Sequence, residues 1–327
     1  MPVYPPRLQP GDQVRIVAPS TSLRAIPEHT APLASKRLTE EFGFVVSYGD
    51  SVLEDGRLRA AAIESRVRDI HAAFADPDVA AVLTVLGGYN SNQVLPYLDY
   101  RLIAEHPKVF CGYSDITAMN GAILARSGLV TYCGPHFSTF AMRDHLERTV
   151  DSFRRCLFSD RPLEWSPSPA FTDDKWYHDQ DDRAEEPTDG WWLLQPGAAS
   201  GRLIGGNLVT FNVLNGTPYR PSLAESVMFI EDDLESTPRT FDRELSSLLQ
   251  QSDLDLRGLV IGRFQHATGM TRELLAHIVS TKHELAGIPV LANVDFGHTN
   301  PLYTFPMGGE CWIAAEPGAI EIVLTRH

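Results

Sequence analysis

The run Val109-Phe110-Cys111-Gly112-Tyr113-Ser114-Asp115-Ile116-Thr117 has the residue types and the setting of an activated nucleophile. Mostly apolar residues end at a glycine, a serine follows two places later, and an amphipathic run through Ile116, Met119, Ile123 and Leu124 begins at once. Strand, tight turn and helix in that order make a nucleophile elbow, which pushes the serine hydroxyl out of the backbone. The helix N-terminus beneath it favours developing negative charge. Ile116 stands where the G-x-S-x-G pattern has its second glycine, and serine is also a common helix cap. The run alone therefore leaves both roles open.

A second loop could serve the same reaction. Residues 80–86 form an apolar strand candidate that leads into Gly87-Gly88-Tyr89-Asn90-Ser91-Asn92, with an apolar helix (Val94, Leu95, Leu98) expected behind it. Two glycines let backbone N–H groups face a ligand with no side chain between. If this strand neighbours 109–111, the Gly88 and Asp115 N–H groups converge on one oxygen beside Ser114. Such an oxyanion hole is worth about 3–4 kcal/mol per donor. A structural glycine turn is the plainer alternative, and the elbow nearby favours the hole.

A serine nucleophile needs a base, and the base needs an orienting partner. His298 leaves a strand at Val294-Asp295-Phe296-Gly297-His298-Thr299; His266 and His136 are rivals. Glu231 ends the apolar strand Val227-Met228-Phe229-Ile230, with Asp232, Asp233 and Glu235 close behind. The residues alone do not choose among these four carboxylates.

The elements that must position these groups follow from periodicity. In the first half, strands at 14–18, 45–48, 80–86, 109–111 and 129–133 alternate with helices. One helix carries Ile63, Val67, Ile70 and Phe74 at helical spacing and stops at Asp76-Pro77-Asp78; another spans 116–126. That alternation predicts an α/β fold with a doubly wound parallel sheet, whose ligands bind at the carboxyl ends of strands. After Gly201 the pattern resumes with strands at 227–230, 259–261, 290–292, 311–314 and 320–324, and helices at 243–250 and 272–285. The expected domains are 1–150, carrying the elbow, and 201–327, carrying the carboxylate and histidine.

Between them, 151–200 is expected to be a linker and aromatic loop, in which residues 160–189 hold ten carboxylates against three basic residues. The stretch is too polar for core and reads as a linker or long surface loop. It also keeps Trp165, Trp176 and Tyr177, with Trp191 and Trp192 just beyond. These either anchor the loop or form the aromatic face of a lid over a ligand.

Composition narrows the function classes. The 327 residues are 43% hydrophobic and 21% charged, with a net charge of −14, which argues against a nucleic-acid partner. The longest apolar runs are strand-sized, too short to cross a bilayer. The first residues lack a basic and an apolar signal region, so a cytoplasmic protein is expected. Four scattered cysteines and eleven histidines show neither C-x-x-C nor H-E-x-x-H spacing, so no metal and no cofactor is expected.

The motifs, taken in order, resemble the LD-carboxypeptidase family of serine peptidases over nearly the whole chain. The resemblance rests on Leu8-Gln9-Pro10-Gly11-Asp12, Ala18-Pro19-Ser20, Gly87-Gly88-Tyr89 and Gly112-Tyr113-Ser114-Asp115. It continues through Gly205-Gly206-Asn207-Leu208, Gly216-Thr217-Pro218-Tyr219, Phe229-Ile230-Glu231-Asp232 and Phe296-Gly297-His298-Thr299. It implies a Ser–Glu–His triad on Ser114, Glu231 and His298, an N-terminal α/β domain, a C-terminal α/β domain of barrel-like form, and a homodimer. Asn90-Ser91-Asn92-Gln93 and the tryptophan-bearing loop resemble the microcin C self-immunity branch. That branch implies hydrolysis of an aminoacyl- or peptidyl-nucleotide, with a loop aromatic, here Trp176, stacked on the base. Gly87, Tyr89, Asn90 and Asn207 are the other expected substrate contacts. Cleavage of a murein tetrapeptide is the enzymatic alternative, and a non-catalytic binder on the same fold is the other.

Overall fold

Residues 2–327 are described by a computed structural model. Five parallel strands open the chain: β1 (Gln13–Val17), β2 (Val45–Tyr48), β3 (Val79–Thr84), β4 (Val109–Cys111) and β5 (Thr131–Cys133). They pair in the order β5-β4-β3-β1-β2. Helices α1 (Thr30–Phe42), α2 (Ile63–Ala75), α3 (Tyr100–Glu105), α4 (Thr117–Ser127) and α5 (Glu147–Phe158) accompany them.

Side-chain alternation splits the core between the two faces of this sheet. Ala81, Leu83, Val109 and Cys111 pack with Leu38 and Phe42 of α1 on one face. Val82 and Phe110, one residue out of phase, pack with Ile70 and Phe74 of α2 and Met119 of α4 on the other. Both faces are covered, which is why β3 and β4 read as unbroken apolar runs. The chain reverses its winding between β1 and β3. A crevice at the carboxyl ends of those strands follows from that reversal.

The remaining strands are β6 (Leu163–Trp165), β7 (Ala170–Phe171), β8 (Glu186–Pro187), β9 (Trp192–Gln195), β10 (Gly197–Asn207), β11 (Ser226–Glu231), β12 (Leu256–Gly262), β13 (Val290–Val294), β14 (Phe305–Met307), β15 (Glu310–Glu316) and β16 (Ala319–Arg326). Eight of them form a mixed sheet in the order β6-β16-β15-β10-β11-β12-β13-β9. Its parallel centre, β10 to β13, is served by α6 (Leu208–Asn212), α7 (Pro238–Leu249) and α8 (Arg272–Ser280). The sheet curls until β9 approaches β15, so the barrel-like form is an open one. β14 leaves this sheet to pair antiparallel with β5, stitching the C-terminal part of the chain to the first sheet.

Several elements differ from their sequence expectation. β10 has no counterpart in the periodicity, because Gly-Ala-Ala-Ser-Gly has little intrinsic β preference; pairing with β15 on one side and β11 on the other makes it a strand. The apolar run after Gly87-Gly88 is a 3-10 stretch, Ser91–Tyr97, with Pro96 inside it. The helix expected over 272–285 breaks after Ser280, and a separate 3-10 turn covers His283–Leu285. No helix among the described residues is long and apolar enough to cross a membrane.

Candidate active site

Ser114, separated from the end of β4 by Gly112 and Tyr113, starts a 3-10 turn, Ser114–Ile116, that feeds α4. Its φ is 58°, in the left-handed region that non-glycine residues rarely occupy. Strain of this kind persists only where the surroundings enforce it, and here it lifts the hydroxyl out of the turn. Gly87 lies directly against it: a Cβ at Gly87 would fall 3.0 Å from Ser114 Cβ and 3.4 Å from the Asp115 amide nitrogen. Only glycine lets the two strand-end loops approach this closely.

His298 and Glu231 reach Ser114 from the second sheet. Glu231 is the last residue of β11 and is 3% exposed. His298 follows β13 on a sharp turn through Gly297, whose φ is 109° and where a Cβ would meet Glu231 Oε2 at 2.9 Å. The turn delivers the imidazole with Nδ1 2.6 Å from Glu231 Oε2 and Nε2 3.1 Å from Ser114 Oγ. Burial works against charge on His298. The charge and hydrogen bond of Glu231, helped by Asp233 and Asp232, outweigh it and hold the imidazole above its ordinary pKa.

Aromatic packing fixes the ring from the side. Tyr113 lies 5.2 Å from His298 and stacks at 4.3 Å on His136. His136 is buried, accepts or shares a proton with Thr84 Oγ1 at 2.9 Å, and is driven down to about pKa 3 by burial and by His298. It stays neutral beside His298. His266, the other rival, is exposed and bonded to Glu186.

Asp115 clamps the Gly-Gly loop to the elbow. Its Oδ2 accepts from Ser20 Oγ at 2.6 Å, Asn90 N at 3.0 Å and Ser91 N at 2.9 Å. Asn90, expected as a substrate contact, is held in the same loop. It is 7% exposed, and its Oδ1 accepts from Ser20 Oγ and the Arg66 guanidinium, away from both cavities that meet Ser114. Arg66, on α2 and not singled out in the sequence, also holds Pro19 O, Asn90 O and Gln93 Oε1, so it braces the same loop.

Two cavities open on Ser114 and Gly88. The larger, about 720 Å³, is lined by Gly87, His298, Thr139, Met142, Lys175, Trp176 and Tyr177. Of the tryptophans weighed for the loop, Trp176 faces this space. Trp191 is 8% exposed and donates to Asp295, which pairs with Arg263 at 2.7 Å; Trp192 donates to Asp189. Those two anchor the segment. The smaller cavity, about 280 Å³, is lined by Tyr89, Asn207, Asp232, Asp233, Glu235, Thr240, Arg243 and Glu244 among others. Tyr89 donates to Glu235 across its mouth. Glu244 and Arg243 come from α7 and carry no motif, so only the fold reveals them.

Comparison with known proteins agrees with this architecture. Residues 14–134 match the LD-carboxypeptidase N-terminal domain and residues 200–313 the LD-carboxypeptidase C-terminal domain. A Bacillus subtilis relative, YocD, called a carboxypeptidase in name, is 46% identical over 99% of this chain and 100% of its own. The crystal structure of an MccF-like protein from Bacillus anthracis superposes with a TM-score of 0.98 at 46% identity, covering 99% of this chain and 100% of that one. The structure of MccF in complex with glutamyl sulfamoyl guanosine has a TM-score of 0.89 at 25% identity, covering 100% and 99%.

Proposed function

The chain belongs to the LD-carboxypeptidase family of carboxypeptidase-like hydrolases, and from that premise we propose that it is a serine hydrolase cleaving the amide-type bond of an aminoacyl- or peptidyl-nucleotide. The observation that carries the reading is the unbroken chain Ser114 Oγ, His298 Nε2, His298 Nδ1, Glu231 Oε2, at 3.1 and 2.6 Å.

In the proposed mechanism, His298 Nε2 takes the Ser114 proton as Oγ attacks the acyl carbon. Glu231 stabilises the imidazolium and holds its tautomer. The Gly88 and Asp115 N–H groups receive the oxyanion. His298 then returns its proton to the leaving nitrogen or oxygen, leaving an acyl-Ser114 ester. Water, deprotonated by the same imidazole, hydrolyses that ester and restores the serine.

The sidedness of the site follows from the proton path. The leaving group must lie within reach of His298, and His298 lines only the larger cavity. A nucleotide leaving group then meets Trp176 and Tyr177, which suit a flat base, while Lys175 suits a phosphate or its sulfamoyl substitute. The ligand named for MccF, a glutamyl sulfamoyl guanosine, supports a nucleotide-linked acyl substrate. Cleavage of a murein tetrapeptide is the second reading; a Bacillus subtilis relative whose name is murein peptide carboxypeptidase, 30% identical over 94% of this chain, favours it.

Purified protein incubated with an aminoacyl sulfamoyl adenosine and, separately, with murein tetrapeptide, with products followed by mass spectrometry, tests the reading. Release of free sulfamoyl adenosine is expected. Release of D-alanine alone contradicts it in favour of the second reading, and no product from either contradicts both.

A further inference from the structure

We propose that Arg66 is a positioning residue for the hydrolysis: its buried guanidinium aims the Gly88 N–H at the oxyanion beside Ser114 and supplies the countercharge to Asp115. The inference rests on Ser114 and the oxyanion hole proposed above, and it adds a part of the machinery that touches no substrate.

Arg66 stands on α2, is 3% exposed, and lines neither cavity that meets Ser114. Any effect it has on the reaction must therefore pass through the loops it holds. Its Nη1 donates to Pro19 O at 2.9 Å and to Asn90 O and Oδ1 at 3.1 Å, and its Nη2 donates to Gln93 Oε1 at 2.9 Å. Asn90 lies two residues beyond Gly88 in one loop, and Pro19 lies in another. Ser20 closes the ring between them, its hydroxyl shared by Asn90 Oδ1 at 3.2 Å and Asp115 Oδ2 at 2.6 Å.

Gly88 is seated against this ring. Its φ is 147°, and a Cβ there would fall 2.4 Å from Ser20 Oγ and 2.5 Å from Thr21 Oγ1. The Thr21 N–H donates to Gly87 O at 3.2 Å. Gly87 O and the Gly88 N–H belong to one peptide plane and point in opposite directions. Fixing the carbonyl from the Pro19–Thr21 side therefore aims the N–H away from it, and Arg66 holds that side in place.

Charge supplies the second argument. Asp115 is 6% exposed, its own N–H is the other oxyanion donor, and its Oδ2 collects Ser20 Oγ, Asn90 N and Ser91 N. A carboxylate this close to a developing oxyanion opposes it unless a cation answers the charge. Burial draws the Arg66 guanidinium below its ordinary pKa, and the charge of Asp115 works against that loss. Burying this group is costly, and its Nε has no partner among the described residues. Apolar side chains can replace buried charges with little loss of stability. What arginine adds is a rigid fork that spans both loops at once.

The test compares full-length Arg66→Gln and Arg66→Lys with wild type on whichever substrate the wild type hydrolyses, with melting followed by calorimetry. A misplacement of about 1 Å, or loss of one oxyanion donor, costs about 10²-fold. Arg66→Gln should lower kcat by about that factor while KM stays within about threefold. Arg66→Lys keeps the charge without the fork, so its kcat should lie between the two. A second readout needs no substrate: the rate at which a small fluorophosphonate modifies Ser114, followed by mass spectrometry. There Ser114 Oγ displaces fluoride from phosphorus, His298 takes the proton, and the same N–H donors stabilise the phosphoryl oxygen, so Arg66→Gln should react at least about tenfold more slowly. A folded Arg66→Gln that keeps kcat within about threefold, a loss confined to KM, or a lysine variant no better than glutamine overturns the inference. Should Arg66→Gln fail to fold, an undiminished kcat in Arg66→Lys overturns it. Equal labelling of wild type and Arg66→Gln refutes the inference alone. No labelling of the wild type refutes the nucleophile reading and the inference with it.

Discussion

Glu231 and His298 stand 67 residues apart in sequence, at the carboxyl ends of two parallel strands of one sheet, yet their side chains meet at 2.6 Å in a nearly dry pocket. Neither strand touches the other; β12 lies between them. The contact exists because Gly297 permits the chain leaving β13 to turn back over the end of β12. A buried carboxylate on Nδ1 leaves Nε2 free to accept the serine proton, and that ordering decides several expected outcomes.

Glu231→Gln keeps the shape and removes the charge that supports the imidazolium. Turnover should fall by about 10⁴-fold, as when a triad carboxylate becomes an amide elsewhere, with little change in melting temperature by calorimetry. Glu235→Gln should leave turnover of a neutral acyl substrate far less affected. The reverse ranking would show that Glu231 is not the orienting carboxylate.

The pH profile carries a sign. His298 must be neutral to act as base, and Glu231 holds its pKa above the ordinary histidine value. The free-enzyme kcat/KM should therefore rise with pH through a midpoint above about 6.5. Glu231→Gln should move that midpoint down. A wild-type midpoint below the ordinary histidine range would contradict the geometry.

Trp176 separates stacking from anchoring. Trp176→Ala should weaken binding of nucleotide-bearing probes by about 1–3 kcal/mol and barely alter the hydrolysis of substrates without a base. Equal weakening of both would mean that Trp176 holds the loop, as Trp191 does through Asp295.

Asn90 should matter to stability and not to specificity. Asn90→Ala removes the acceptor shared by Ser20 and Arg66, an expected loss of about 1–3 kcal/mol for buried groups left unsatisfied, read by urea denaturation. The ratio of kcat/KM values between two substrates should stay as in wild type. A changed ratio would return Asn90 to the substrate.

What could be read from the sequence follows a physical divide. Strands buried on both faces, such as β3 and β4, advertise themselves as apolar runs, and loops at their carboxyl ends carry glycines because backbones must approach closely there. Ser114, Gly87, Gly88 and Gly297 were legible for that reason. β10 was not, because its glycines and alanines become a strand only through partners on both sides. The inward bonds of Asn90 were not legible either, because a polar residue beside Gly-Gly can face either way and its partner Arg66 comes from a distant helix. The acidic cavity was hidden too: Glu235 and Glu244 lie on different elements and meet only in the folded chain. The residues pointed to four carboxylates at and after the end of β11 without choosing one; the 2.6 Å contact separates Glu231 from Asp232, Asp233 and Glu235.

Whether Ser114 is the nucleophile is decided by the turnover of Ser114→Ala on whichever substrate the wild type hydrolyses. The hydroxyl sits at the meeting of two cavities and its only side-chain bond is to His298 among the described residues, so its loss should leave folding and ligand binding intact. The kcat should fall by about 10⁴-fold or more. A variant that keeps more than about a tenth of the wild-type rate, far above the residue a disabled triad leaves, would show that Ser114 is not the nucleophile.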